Sequence, residues 1–231
     1  MSSAQSVQDL LGLRTPPIAI GFLDTPPSGL QPWQGGAVPA GCSFWERAAA
    51  GESFYTVPSD HFNCAVGCHT HHIPLPAERR SELTTGAQMM VDAGYLRPSD
   101  VLSIPTLPRT PAVVAYAPVG QAAFHPDVVL LTVTPAQGML IYEAALRLGD
   151  GSSQMVSALG RPACAVLPFV QGGSQAALSL GCKGNRVYTG LPDDQMYFAI
   201  PAAQWERFEE IVRTIVQANG AMGAYYEAKA T

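Results

Sequence analysis

Charge is scarce in this chain. Only 13% of its residues are Asp, Glu, Lys or Arg, and 18 acidic side chains outnumber 13 basic ones. A net charge of −5 without a basic stripe gives nothing that could displace counterions from a phosphate backbone, so no nucleic-acid role is expected. No apolar run reaches the length of about 18 residues that a membrane span needs. The start, Met1-Ser-Ser-Ala-Gln-Ser6, lacks the basic residues and apolar stretch of a secretory leader, so the expectation is a cytoplasmic protein. A Cys-x-x-Cys pair, a Gly-x-Ser-x-Gly elbow and the lysine spacing of a phosphate-binding loop are also missing.

What is plentiful is apolar surface, at 47% of residues, together with 22 Gly and 20 Pro. A chain of 231 residues is long enough to bury one sizeable core, and is read as a single domain over 1–231. The low charge also points to a surface buried between two copies, that is, a homodimer.

Periodicity gives an α/β reading with α+β mixing: mixed sheets flanked by helices. Strands are expected at Ile18–Leu23, Ser53–Val57, Ala112–Ala117, Val128–Val133 and Tyr197–Ile200. Helices are expected near 5–13, 44–50, 78–93, 135–148 and 202–219. Ser43 is the expected cap of the second, and Thr134-Pro135 opens the fourth. Two stretches, 24–41 and 96–111, read as Pro-rich connections. Cys164–Val170 fits strand or helix equally. A strand, an Ala-rich helix, a Gly and a cysteine recur in Ile18–Cys64 and Val128–Cys182. This echo suggests two pseudo-repeated halves, 1–110 and 111–231, with a site between them.

Cysteine carries the chemical signal. In a reducing compartment five cysteines are better read as ligands, redox groups or core than as disulfides. Cys64 and Cys68 are spaced Cys-x3-Cys, which on a helical turn sets both sulfurs to one side. His61, His69, His71 and His72 crowd the same dozen residues. Thiolate with imidazole suits a transition metal or an iron–sulfur cluster. Cys182, in Gly181-Cys-Lys-Gly-Asn-Arg186, has basic neighbours that favour thiolate, and Cys42 stands just before a helix. Cys164 lies in a wholly apolar run and reads as core.

Several blocks together resemble the prokaryotic family called domain of unknown function 169. They are Pro17-Ile-Ala-Ile-Gly-Phe22, Cys42 before the helix closed by Gly51, and Phe54-Tyr-Thr56 with His61-Phe-Asn-Cys64. Pro126-Asp-Val-Val129, Leu178 to Arg186, Met196 and Ile200-Pro201 follow in order. The resemblance covers nearly the whole chain. It implies that the recurrent cysteines are Cys42, Cys64 and Cys182. Many relatives carry a further cysteine where this chain has Asn185, and others lack one at the Cys68 position. The fourth ligand therefore stays open between Cys68, a histidine and substrate.

The leading expectation is a metal-binding or iron–sulfur (4Fe-4S) protein, with redox or lyase-type chemistry at a three-cysteine site. Cys42, Cys64 and Cys182 would hold the cofactor, with Cys68 as the next metal ligand. Arg186, His61 and His69 would hold an anionic small-molecule substrate or move protons. A single transition metal is the variant of that reading. The alternative is a sensor that binds haem or another small ligand through His69–His72. Third stands a metal-free cysteine-thiolate enzyme.

Overall fold

In Val128-Val-Leu-Leu-Thr-Val133 nearly every residue is apolar, and the fold shows why. Successive strand residues point to opposite faces. Val128 and Leu130 join one core cluster, while Val129, Leu131 and Val133 join the other. Both faces of the sheet are therefore covered by helices. The computed structural model describes residues 6–149, 156–173 and 175–230.

Among those residues eight strands form one mixed sheet: β1 Ile18–Leu23, β2 Gln31–Pro32, β3 Phe54–Thr56, β4 Val113–Pro118, β5 Val128–Val133, β6 Ser157–Leu159, β7 Ala177–Ser179 and β8 Met196–Pro201. Their order across the sheet is β2-β3-β4-β1-β5-β8-β7-β6. The two outermost pairs, β2 with β3 and β6 with β7, are parallel. All other neighbours are antiparallel. Order and pairing sense read the same from either edge, with β1 and β5 adjacent at the centre. The expected α/β class holds, as one continuous sheet rather than several. β4, which follows the expected midpoint at 110, is hydrogen-bonded to β1 and β3.

The helices are α1 Val7–Leu11, α2 Ser43–Ala49, α3 Ala65–Thr70, α4 Ser81–Asp92, α5 Pro98–Leu102, α6 Pro135–Leu146, α7 Val166–Gly173, α8 Lys183–Thr189 and α9 Trp205–Ala230. α2 and α7 pack Phe44, Trp45, Val166, Leu167 and Val170 on one face of the sheet. On the other, α1, α6 and α9 bring Leu11, Ile141, Phe208 and Val212. No helix of the described residues is long and apolar enough to cross a membrane.

Three expectations need correction, and one open reading, Cys164–Val170, is resolved. β2 and β6 are edge strands of two and three residues, too short to show a period, and shortness at an edge limits pairing with another chain. α5 lies inside the expected connection 96–111: Pro98 fills the first helical position and the Asp100 carboxylate accepts the Arg97 N–H at 2.9 Å. Cys164–Val170 is helical, through a 3-10 turn at Ala163–Ala165 that runs into α7. α9 passes the expected end at 219 and reaches Ala230. Its buried positions stop at Ile215, so the apolar period fades before the helix does.

Candidate functional site

Three cysteines from distant loops each stand one residue before a short helix. The turn at Pro39–Cys42 ends in 3-10-type bonds, Ser43 N–H to Ala40 O at 3.0 Å and Phe44 N–H to Gly41 O at 3.1 Å. Cys42, rather than the expected Ser43, is the residue that caps α2, and it makes no side-chain cap bond. Cys64 caps α3, and its Sγ accepts the Gly67 N–H at 3.3 Å. Cys182 caps α8, its Sγ accepting the Asn185 N–H at 3.4 Å. An amide hydrogen bond to sulfur stabilises thiolate over thiol. Gly181 holds φ at +78°, the left-handed region, and a Cβ there would meet Asn185 Oδ1 at 3.1 Å.

All three line one cavity of about 410 Å³, and Cys164 lines it too. Much of the remaining wall is apolar, and Leu83, Ala87, Met90, Leu96, Val101 and Ile104 come to it from α4, α5 and the residues between and just after them. This explains why α4 has apolar side chains yet no buried residue. Its apolar face looks into the cavity. Polar groups are few: His69, Glu82, Arg161, Lys183 and the amides of Asn63 and Asn185, with the tyrosines 95 and 188. Arg161 stacks on the Tyr95 ring at 4.0 Å and donates to the Tyr95 carbonyl.

The thiols sense one another. Burial pushes Cys42 up to about 12, the charges of Cys64 and Cys182 add to the rise, and the neighbouring Asn185 amide opposes it. Burial likewise raises Cys64 and Cys164. Asn185 is 2% exposed. Its Nδ2 donates to the Tyr197 hydroxyl at 3.2 Å, while its Oδ1 is buried with no partner. Among the described residues, however, no group of three or more His, Cys, Asp or Glu side chains is placed to hold a single metal ion.

Other expected residues lie elsewhere. Cys68 is fully buried, outside the cavity wall, and its S–H lies 3.1 Å from the His61 carbonyl. The Cys-x3-Cys reading fails because Cys64 is a cap with extended backbone (φ −128°, ψ 96°). The two sulfurs therefore do not share a helical face. Arg186 does not line the cavity. Its guanidinium donates to the carbonyls of Leu180, Leu191, Pro192 and Gln195, at 2.7, 3.4, 2.7 and 3.0 Å. It ties down the loop between β7 and β8 and has little left to offer a substrate.

His61 is also off the cavity. The Thr56 hydroxyl shares a hydrogen bond with His61 Nε2 at 2.8 Å and lies 3.2 Å from the Val114 carbonyl. His71 donates through Nδ1–H to the Gly67 carbonyl at 2.8 Å. Each ring keeps one buried nitrogen without a partner. His72 donates to the Leu107 carbonyl at 2.9 Å. Of the expected histidines only His69 reaches the cavity, and burial lowers its pKa.

Cys164 belongs to the buried core, as expected, and also lines the cavity, which was not expected. Its signal was local: Pro162-Ala-Cys164 echoes Pro39-Ala-Gly-Cys42, and both alanines line the cavity. The turn before Cys42 is tight enough to test. A Cβ on Gly41 would lie 2.8 Å from His61 Nδ1, and His61 is held by Thr56. Gly41→Ala should therefore destabilise the chain by about 1–3 kcal/mol, seen as a lower urea midpoint with an unchanged slope.

The model of the family described as DUF169, uncharacterised ArCR, matches residues 6–213. No curated protein and no solved structure matches the chain.

Proposed function

The chain belongs to the DUF169 family, and from its own cavity we propose that it is an iron–sulfur protein, with Cys42, Cys64 and Cys182 as cluster ligands. The observation that carries this reading is the meeting of these thiols, 22 and 118 residues apart in sequence, on one cavity wall. Their chemistry fits. Thiolates are the ligands iron–sulfur clusters use, and amide hydrogen bonds to the sulfurs, as at Cys64 and Cys182, are the usual means of tuning such clusters. Among the described residues no trio of His, Cys, Asp or Glu is placed to hold a single ion, so the reading rests on the cysteines that line the cavity. A cluster bound here would supply redox chemistry, or Lewis-acid chemistry at an iron without a protein ligand.

The chain's own residues define what else enters. The apolar wall from α4 and α5 selects a small molecule with an apolar body. Arg161 and Lys183 supply positive charge for an anionic group, and His69 is the one histidine placed to exchange a proton with it.

The test is anaerobic reconstitution with ferrous iron and sulfide, followed by counts of iron and acid-labile sulfide and a visible spectrum. The expected product is coloured and bleached by dithionite. Because loss of even an outer group beside a metal ligand costs about 10- to 100-fold in affinity, Cys64→Ala or Cys182→Ala should retain almost no iron. A colourless wild-type protein without iron or sulfide would overturn the reading.

A further inference from the structure

Strand order and pairing sense read the same from both edges of the sheet, and the elements between the strands follow the same rule. In the first half the chain runs β1, β2, Cys42 with α2, β3, Cys64 with α3, and finally β4. In the second it runs β5, β6, Cys164 with α7, β7, Cys182 with α8, and finally β8. The insertions differ: α4 and α5 precede β4, and α6 precedes β6. Under this correspondence Cys64 and Cys182 match as caps of the helices after β3 and β7, each with its sulfur on the amide three residues ahead. Cys42 and Cys164 match as the cysteines of a Pro-Ala turn leading into the helix after β2 and β6.

We propose that Cys164 is the fourth cluster ligand, so that each half supplies two thiols to one site. The inference rests on the iron–sulfur reading above. Four observations converge on it besides the topology. Cys164 lines the same cavity as the other three, and Cys68, the other candidate, does not. Its Sγ is 3.3 Å from the Thr70 hydroxyl on α3, whose N-cap is Cys64. Asn185, on the cavity wall, leaves a buried polar atom unpartnered, as a wall built to face a ligand does. No histidine other than His69 among those expected as ligands reaches the space.

The inference changes the chemistry. Three thiolates leave one iron open to substrate, whereas four leave none. A substrate in the apolar part of the cavity would then sit beside the cluster and not on it, and Lewis-acid lyase chemistry at iron is ruled out.

Two measurements on the reconstituted full chain decide this. In the wild type, Mössbauer spectra with iron-57 should show no iron set apart from the others, and added citrate should leave them unchanged. In Cys164→Ser, bound iron should fall to about three quarters or less and a three-iron signal should appear after mild oxidation, while Cys68→Ser keeps wild-type iron and spectrum. A distinct, citrate-sensitive iron in the wild type overturns the fourth-ligand assignment and leaves the iron–sulfur reading standing, even where Cys164→Ser does not fold. So does a Cys164→Ser protein with full iron and an unchanged spectrum. A wild-type chain that takes up no iron and sulfide overturns both.

Discussion

Acidification from pH 7 to pH 5 should lower the folding stability of this protein by about 4 kcal/mol, through two buried histidines. Burial holds His61 at about 3, with the His71 charge adding to the shift, and holds His71 at about 4. Both start from an ordinary value of 6.5. Above pH 6.5 the rings are neutral in the folded and unfolded chain alike, and they contribute no pH dependence. Below it, only the unfolded chain takes up their protons. Each ring then costs about 1.4 kcal/mol per pH unit, or about 2.7 for the pair. The loss continues until pH falls through the folded values, near 4 for His71 and near 3 for His61. His69, also lowered by burial, acts in the same direction. Glu46, Asp127 and Glu209 are raised by burial, so they take up protons in the folded chain first and offset part of the loss. Domains of this kind have about 5–15 kcal/mol in hand, so the loss takes up a large share of the total, and the chain should unfold well before the acid range in which carboxylates alone would unfold it. Urea midpoints at pH 7, 6 and 5 read the effect directly, and a flat series would contradict it.

Phe44→Ala should cost about 3–5 kcal/mol. The Phe44 ring is fully buried. Its centroid lies 5.4 Å from that of Trp33, 5.9 Å from Phe54, 5.3 Å from His61 and 5.7 Å from Tyr116. These rings come from the edge of the sheet, its middle and the turn before Cys64, so one truncation loosens several elements at once. It also frees the first turn of α2, which fixes Cys42. If the proposed cluster is bound, the lower urea midpoint should come with weaker iron uptake. Met222→Ala, on the exposed end of α9, is the comparison. It should stay within about 0.5 kcal/mol.

The sequence made the central strands and long helices legible because their periods are set by burial on two faces. β1, β4, β5 and β8 follow their expected ranges to within a residue or two at each end. What escaped lies where no period can form. β2 and β6 are shorter than one full alternation. α5 begins at the kind of proline that elsewhere ends a helix. At the site, Cys42, Cys64 and Cys182 were picked out by their neighbours, yet the density of histidines beside Cys64 misled. Spacing along the chain says nothing of direction, and α3 turns Cys68 inward while His71 spends its Nδ1–H on the backbone. Arg186 looked like an anion binder because its partners are carbonyls of its own loop, and main-chain acceptors leave no trace in a sequence. Cys164 was hidden by apolar neighbours that pack α7 onto the sheet.

The sheet order also sets a timetable for synthesis. β1 lies beside β4 and β5, with Ile18 paired to Pro118 and Leu130. As it leaves the ribosome, β1 must therefore wait about a hundred residues for either partner, with both of its apolar faces uncovered. Contacts of such long sequence separation form late and slowly. Until then Ile18-Ala-Ile20 keeps its apolar side chains uncovered, and Cys42 and Cys64 emerge long before Cys164 and Cys182, which line the same cavity.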